Sequence, residues 1–305
     1  MAGCNNNNKN NKKCYWEKGG ILMENKKISI IVPIYNGEIY IKKLVEKLKE
    51  QKGNFSIELI ALVSFSKDKS LEISKELFDK VLEVKKFNHA KTRHEGALIA
   101  EGDILVFITQ DILPYDNSWL KELVNPLNEN IVAAFSKQIA YQEHSEIEKI
   151  IREFNYLDKN RISNKQNEKV NGRKNIFYSD ASSAILKTEF FKLGGYDFFT
   201  PTSEDVYLAS KIIKNGKSFI YTAESKIWHS HQLSLKETYK RYKDIGKFEK
   251  LFEKEIDFSK TESEGKKLLI YMIKELIKRR KIFELIYLPF DIGTRWIGYK
   301  VGRKL

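Results

Sequence analysis

Cysteine is nearly absent from this chain of 305 residues: Cys4 and Cys14 are its two examples, and both precede the first recognisable element. The remainder carries neither a disulfide framework nor a thiolate metal site, so a reducing compartment, the cytoplasm, is the expected location. Long apolar runs are missing too. Nothing approaches eighteen consecutive apolar residues, so no membrane-spanning helix is expected, and no apolar segment precedes Cys4 as a lipoprotein cleavage box requires. There are no internal repeats, and no helix-turn-helix, zinc or RNA-binding motif. Acid is scarce relative to base: 41 Asp+Glu face 54 Lys+Arg, giving a net charge of +13 and a pI near 9.3. That balance asks for an anionic partner. The missing motifs argue against nucleic acid, leaving a phosphorylated substrate or an anionic membrane surface.

What is present, 42% hydrophobic and 31% charged residues, describes a globular chain. Residues 1–26 form an Asn/Lys-rich leader expected to be disordered, within which Met23 offers an alternative start. From Ile28 the texture changes. Ile28–Ile34 is a continuous apolar run, as in a buried parallel strand, and Ile41, Leu44, Val45 and Leu48 then recur at helical spacing. Strands at Ile57–Val63, Val81–Val84 and Asp103–Thr109 alternate with helices at Leu71–Phe78 and Ala90–Ala100. Such alternation predicts a parallel, doubly wound sheet, whose ligands sit beyond the carboxyl ends of the strands. The polar stretch Arg161–Lys174 reads as a mobile loop. Beyond Leu235 the pattern is helical and basic, so residues 27–235 are expected to form the main α/β unit and 236–305 a C-terminal extension.

Six groups of residues carry candidate chemistry. Pro33, Tyr35 and Asn36 follow strand one, where a tight turn is the plainer reading. Ser64, Ser66 and Asp68 follow strand two, where Asp68 or Ser70 suits a cap for the next helix. Arg93 is either a surface charge or a phosphate-seeking guanidinium. Thr109-Gln110-Asp111 ends an apolar strand, and a carboxylate there is costly to bury unless paired or metal-bound, so Asp111 is a candidate ligand for Mg²⁺ or Mn²⁺. Glu204-Asp205 opens an amphipathic helix, where acids in the first turn are common in themselves; the other reading is a general base at a rigid helix start, with the helix amides holding Asp205 charged. His229 and His231, two apart on a strand, should face opposite ways, so one at most should reach the site.

In order and spacing these residues resemble family 2 glycosyltransferases, in particular their rhamnosyltransferase-like branch. The likeness is carried by Ile28–Asn36, by Phe87–Gly96 around Arg93, and by Val106–Asp111, where Thr-Gln-Asp stands for Asp-X-Asp. Gly194-Gly195-Tyr196 followed by Glu204-Asp205, and His229–Gly246, extend it to three quarters of the chain. The resemblance implies an α/β fold of GT-A type: a mostly parallel sheet flanked by helices, with a Rossmann-like nucleotide-binding half, an acceptor half and a helical C-terminal extension. It implies inverting, metal-dependent transfer from a nucleoside-diphosphate sugar, dTDP-rhamnose or a UDP-sugar, to a hydroxyl of a glycan or lipid-linked acceptor in cell-surface polysaccharide synthesis. Asp205 would be the base and Glu204 would orient the site. Pro33, Tyr35, Asn36, Ser64, Ser66, Asp68, Arg93 and Gln110 would bind the donor, and Asp111 with His229 or His231 the metal. The exchanged Thr109 leaves a second reading, a catalytically inactive sugar-nucleotide binder. Nine Lys/Arg against three Asp/Glu in residues 271–305, among aromatic and aliphatic residues, suit either an ordinary helix packed on the catalytic unit or peripheral contact with the inner membrane face.

Overall fold

The apolar runs become nine strands of one sheet among the residues described, 26–259 and 261–305, in the computed structural model. The expected leader lies outside them except for Lys26, which opens β1 (Lys26–Ile34). The first half alternates: α1 (Glu38–Lys49), β2 (Phe55–Ser64), α2 (Ser70–Leu77), β3 (Lys80–Val84), α3 (His89–Ile99), β4 (Ile104–Ile108). Here β2 and β4 flank β1 in parallel, and β3 pairs parallel with β2. Ile28, Ile30 and Val32 of β1 enter one core with Ile41, Leu44 and Leu48 of α1, while Ile31 enters the other with Ala90 and Ala97 of α3. Burial on both faces explains the unbroken apolar runs.

The second half comprises β5 (Leu113–Pro114), α4 (Trp119–Val124), β6 (Ile131–Ile139), α5 (Glu146–Asn155), β7 (Arg161–Ser163), α6 (Glu168–Asn171), β8 (Ser182–Leu186), α7 (Lys187–Lys192), α8 (Glu204–Lys214) and β9 (Ser218–Trp228). The spatial order is β3-β2-β1-β4-β8-β6-β9-β5, with β7 on β9. β8 runs antiparallel to both β4 and β6, so the sheet is mixed. Arg161–Lys174 is not the loop expected from its polarity. It holds β7, α6 and the start of a 3-10 turn at Gly172–Ile176, and Arg161 lies against the rings of Phe135, Phe177 and Tyr221. Tertiary packing overrides composition there.

Three helices close the chain: α9 (Leu235–Leu251), α10 (Thr261–Lys278) and α11 (Ile282–Lys304). Ser234 and Glu237 form a reciprocal capping box at the start of α9, which fixes that helix immediately after the His229–His231 segment. α11 lies directly on α9. A Cβ at Gly302 would meet the Lys243 carbonyl oxygen at 2.0 Å, and one at Gly298 the Tyr239 oxygen at 2.6 Å. Buried Glu249 of α9 accepts from Arg173 and from Tyr299 of α11, and Arg279 reaches Glu146 and Glu153 of α5.

Candidate active site

At the carboxyl ends of β1 and β2 the two loops are stitched together. The Asn36 amide donates to Ser66 Oγ at 3.0 Å and the Lys67 amide to Asn36 Oδ1 at 2.9 Å. Ser66 Oγ in turn donates to the Ser64 carbonyl. Asn36 adopts a positive φ of 44°, which its short polar side chain tolerates. Asp68 was expected to cap the following helix. One of its oxygens does accept from the Ser70 amide, but the other accepts from the Glu38 amide at the start of α1. Asp68 therefore caps the preceding helix as well. Gln110 makes a matched pair with Tyr35: its Oε1 accepts from the Tyr35 amide at 2.8 Å, and its Nε2 donates to the Tyr35 carbonyl at 3.0 Å. Thus the Thr109–Asp111 segment is bound to the first loop. Tyr35 and Asn36 are exposed beside partly exposed Pro33, available to a ligand.

Beyond Gln110, Asp111 faces both histidines. Asp111 Oδ2 lies 3.7 Å from His229 Nε2 and 3.5 Å from His231 Nδ1, and one ligand atom from each residue falls within 4.8 Å of the others. The expectation that alternation would turn one histidine away fails because β9 ends at Trp228; past that point the strand period no longer applies. Gln138 Nε2 donates to Ser179 Oγ, and Gln138 Oε1 lies 2.9 Å from His229 Nδ1. An amide oxygen can only accept, so Nδ1 carries the proton and Nε2 presents its lone pair. That Nε2 is buried with no hydrogen-bond partner. Burial, then neighbouring His231, pushes His229 well below the usual histidine range, and burial with Arg241 brings His231 down to about 4. Both rings are thus neutral near pH 7. Two neutral imidazoles and a carboxylate around an orphaned nitrogen fit a divalent cation.

A second cluster joins α3, β8 and α8. Arg93 is buried, with Nη1 2.9 Å from Glu204 Oε1 and Nε 3.7 Å from Asp180 Oδ2. Its Nη1 also donates to the His89 carbonyl, while its Nε is buried without a hydrogen-bond partner. Arg93, grouped by sequence with the donor loops, is committed to carboxylates instead; a buried guanidinium needs that compensation. Glu204 is likewise bound inward. Asp180, which the sequence reading passed over, accepts from Tyr196 Oη at 2.7 Å and Ser183 Oγ at 2.6 Å, and burial raises it to about 6. The turn at Gly194 and Gly195, with φ of 83° and 52°, delivers Tyr196 to that bond. His94 Nδ1 accepts the Tyr196 amide.

Asp205 is half-buried at the start of α8 and accepts from the Asp180 and Val206 amides at 3.2 and 2.8 Å. The expected effect of the helix start was a low pKa. Instead, burial with the charges of Glu204 and Asp180 raises it well above the usual carboxylate range. Among the described residues Asp205 has no cation within 4.0 Å. Preceding it, Ser203 sits at φ 63°, a conformation rare for a non-glycine and recurrent at functional sites. Arg241 of α9, exposed and without an ion pair among the described residues, acts on His231, His229 and His89.

With this geometry in view, the family model described as Glycosyl transferase family 2 matches residues 29–194, more than half of the chain. The chain belongs to glycosyl transferase family 2. It is a glycosyltransferase, similar to the O-antigen chain rhamnosyltransferases RfbN of Salmonella typhimurium and WbaN of Salmonella anatum. RfbN is 28% identical over 286 residues, 91% of this chain and 90% of its own length. WbaN is 28% identical over 284 residues, 90% and 89%. Among solved structures, the mannosyltransferase PcManGT of Pyrobaculum calidifontis, in complex with GDP-Man and Mn²⁺, superposes with a TM-score of 0.62 at 14% identity, covering 94% of this chain and 88% of that one. Residues 1–349 of S. aureus TarS give 0.52 at 15% identity, covering 91% of each chain. Both share the GT-A-like arrangement of a mixed sheet with flanking helices. No described helix is long and apolar enough to cross a membrane.

Proposed function

We propose that this family 2 glycosyltransferase is an inverting, divalent-metal-dependent enzyme that transfers a deoxyhexose, rhamnose from its dTDP ester, to a hydroxyl of a glycan or lipid-linked acceptor. The setting is assembly of a cell-surface polysaccharide at the cytoplasmic face of the membrane. The observation that carries this reading is the carboxylate of Asp205 in the first turn of α8, with no cation within 4.0 Å among the described residues, on a chain whose Asp111, His229 and His231 converge. A general base works best when its pKa approaches the working pH, and Asp205 is shifted in that direction. The similarity to RfbN and WbaN supports the sugar.

The loops at Tyr35–Glu38 and Ser64–Ser70 would hold the nucleoside, with Tyr35 offering an exposed ring for the base. Asp111, His229 and His231 would hold the cation, and their imidazole nitrogens favour Mn²⁺ over Mg²⁺, which prefers oxygen donors. When bound, that ion supplies Lewis-acid neutralisation of the leaving diphosphate. Arg241 adds a positive charge on the same side, and guanidinium suits phosphate. Asp205 takes the proton from the acceptor hydroxyl as that oxygen bonds the anomeric carbon from the face opposite the diphosphate. The anomeric C–O bond breaks and the configuration inverts. Arg93, through Glu204 and Asp180, holds the base in place.

Incubation with dTDP-rhamnose and UDP-sugars, with and without Mn²⁺, tests the reading by release of free nucleotide and by the anomeric configuration of product. Release from none of them, with nucleotide binding retained, would leave the inactive binder as the function.

A further inference from the structure

The hairpin of α10 and α11 carries apolar surface that the catalytic site does not use. Its inner side packs on α5: Met272 and Leu276 of α10 and Leu288 of α11 meet Ile147, Ile150 and Ile151. The outer side is open. Ile273 and Ile277 on α10, and Phe283, Ile286, Phe290 and Ile297 on α11, recur at helical spacing, and all are exposed, Phe283 by 87% and Phe290 by 63%. Counted at a helical period from Leu288, the α11 stripe points away from the shared core, and Ile273 and Ile277 on α10 flank that core on its exposed side. Such a contiguous apolar face on a surface marks an interaction site.

Its charge is one-sided. Lys266, Lys274 and Lys278 share the outward arc of α10, and exposed Arg280 stands at the turn between the helices. Lys274 and Arg280 make no ion pair among the described residues. Of the nearby acids, Glu275 pairs with both Arg279 and Lys278 and Asp291 pairs with Arg295, while Glu284 falls on the inner arc beside Leu288, so Lys266, Lys274 and Arg280 keep the outward charge positive. Two copies of so basic a face would repel one another, whereas an anionic lipid surface would neutralise it. We propose that the α10–α11 hairpin lies flat on an anionic bilayer, its apolar stripes in the headgroup boundary and its lysines at the lipid phosphates. This goes beyond the reaction proposed above and does not depend on it. Because α11 is locked to α9 through Gly298 and Gly302, and α9 starts just after His231, docking would fix the orientation of the site relative to the lipid.

Co-sedimentation of the full chain with phosphatidylcholine vesicles, with or without phosphatidylglycerol, tests the proposal. Binding is expected with phosphatidylglycerol and should weaken as salt is raised. Lys274→Gln and Arg280→Gln should each weaken it about fivefold, the equivalent of about 1 kcal/mol per basic residue at an anionic surface. Phe283→Ser with Phe290→Ser should abolish binding while the circular dichroism spectrum and thermal midpoint hold, since both side chains are exposed. Three results would overturn the proposal: no binding by the unsubstituted chain, equal binding by the doubly substituted one, or light scattering showing a dimer that Phe283→Ser with Phe290→Ser splits.

Discussion

Arg93 Nη1 lies 2.9 Å from Glu204 Oε1, both side chains are 5% exposed, and the pair ties the third helix of the nucleotide half to the first residue of the helix bearing Asp205. Removing one partner of a buried pair strands the other charge, so Arg93→Ala should destabilise the fold by about 3–5 kcal/mol. Urea denaturation measures this. A loss below about 1 kcal/mol, the range of an exposed pair, would mean that Glu204 is solvated in solution.

Asp205→Asn keeps the shape of the side chain and removes its basic oxygen. Turnover should fall on the order of 10²–10⁴-fold, the usual contribution of general-base catalysis, while nucleotide affinity measured by calorimetry stays near normal. Near-normal turnover would reduce Asp205 to a helix-start residue.

Asp180 contributes negative charge that raises Asp205. An acid must lose its proton to act as a base, so activity should fall as pH drops through the pKa of Asp205. Asp180→Asn removes the like charge and keeps an oxygen for Tyr196. The acidic limb of the kcat–pH profile should therefore move to lower pH. An unmoved limb would disconnect the two carboxylates.

Gln138 touches no proposed metal ligand atom directly; it fixes the tautomer of His229 through Nδ1. Gln138→Ala should weaken Mn²⁺ binding about 10–100-fold, as removal of such outer partners does, with the fold intact. Metal titration followed by calorimetry reads the change. His229→Ala should be more damaging than Gln138→Ala.

Gly302 allows α11 to touch the backbone of α9. A methyl group there would collide with the Lys243 carbonyl, so Gly302→Ala should cost about 1–3 kcal/mol, the range for overpacking. A thermal midpoint equal to that of the native chain would show that the helices separate freely.

The nucleotide half was legible almost residue by residue, because its strands are continuous apolar runs and its helices keep a clear period. The acid cluster was not. Asp180 stands just before the Ser182–Leu186 strand, whereas Asp111 was singled out for following one, so the same signal passed Asp180 over. The pKa of Asp205 was not legible either, since it depends on Asp180, Glu204 and burial meeting from separate segments. The histidine pair misled for a local reason: alternation holds only inside a strand, and nothing in Trp228-His229-Ser230-His231 announces that β9 stops at Trp228. Arg93 was read by its chemistry without its neighbours, and its two carboxylate partners lie 87 and 111 residues downstream in sequence.

The cross-bonding of the two loops proposed to hold the donor has a consequence for how this enzyme can diverge. Asn36 and Lys67, Glu38 and Asp68, Gly37 and Ser70 each join one loop to the other, and Tyr35 is joined to Gln110 on a third. A transplant of one loop from a relative with another nucleotide preference would break bonds in its neighbour, leaving the buried Gly37 amide without its acceptor. New donor preferences should arise by concerted exchange of these segments, which makes them a single unit of inheritance and the natural cut points for building chimeric enzymes.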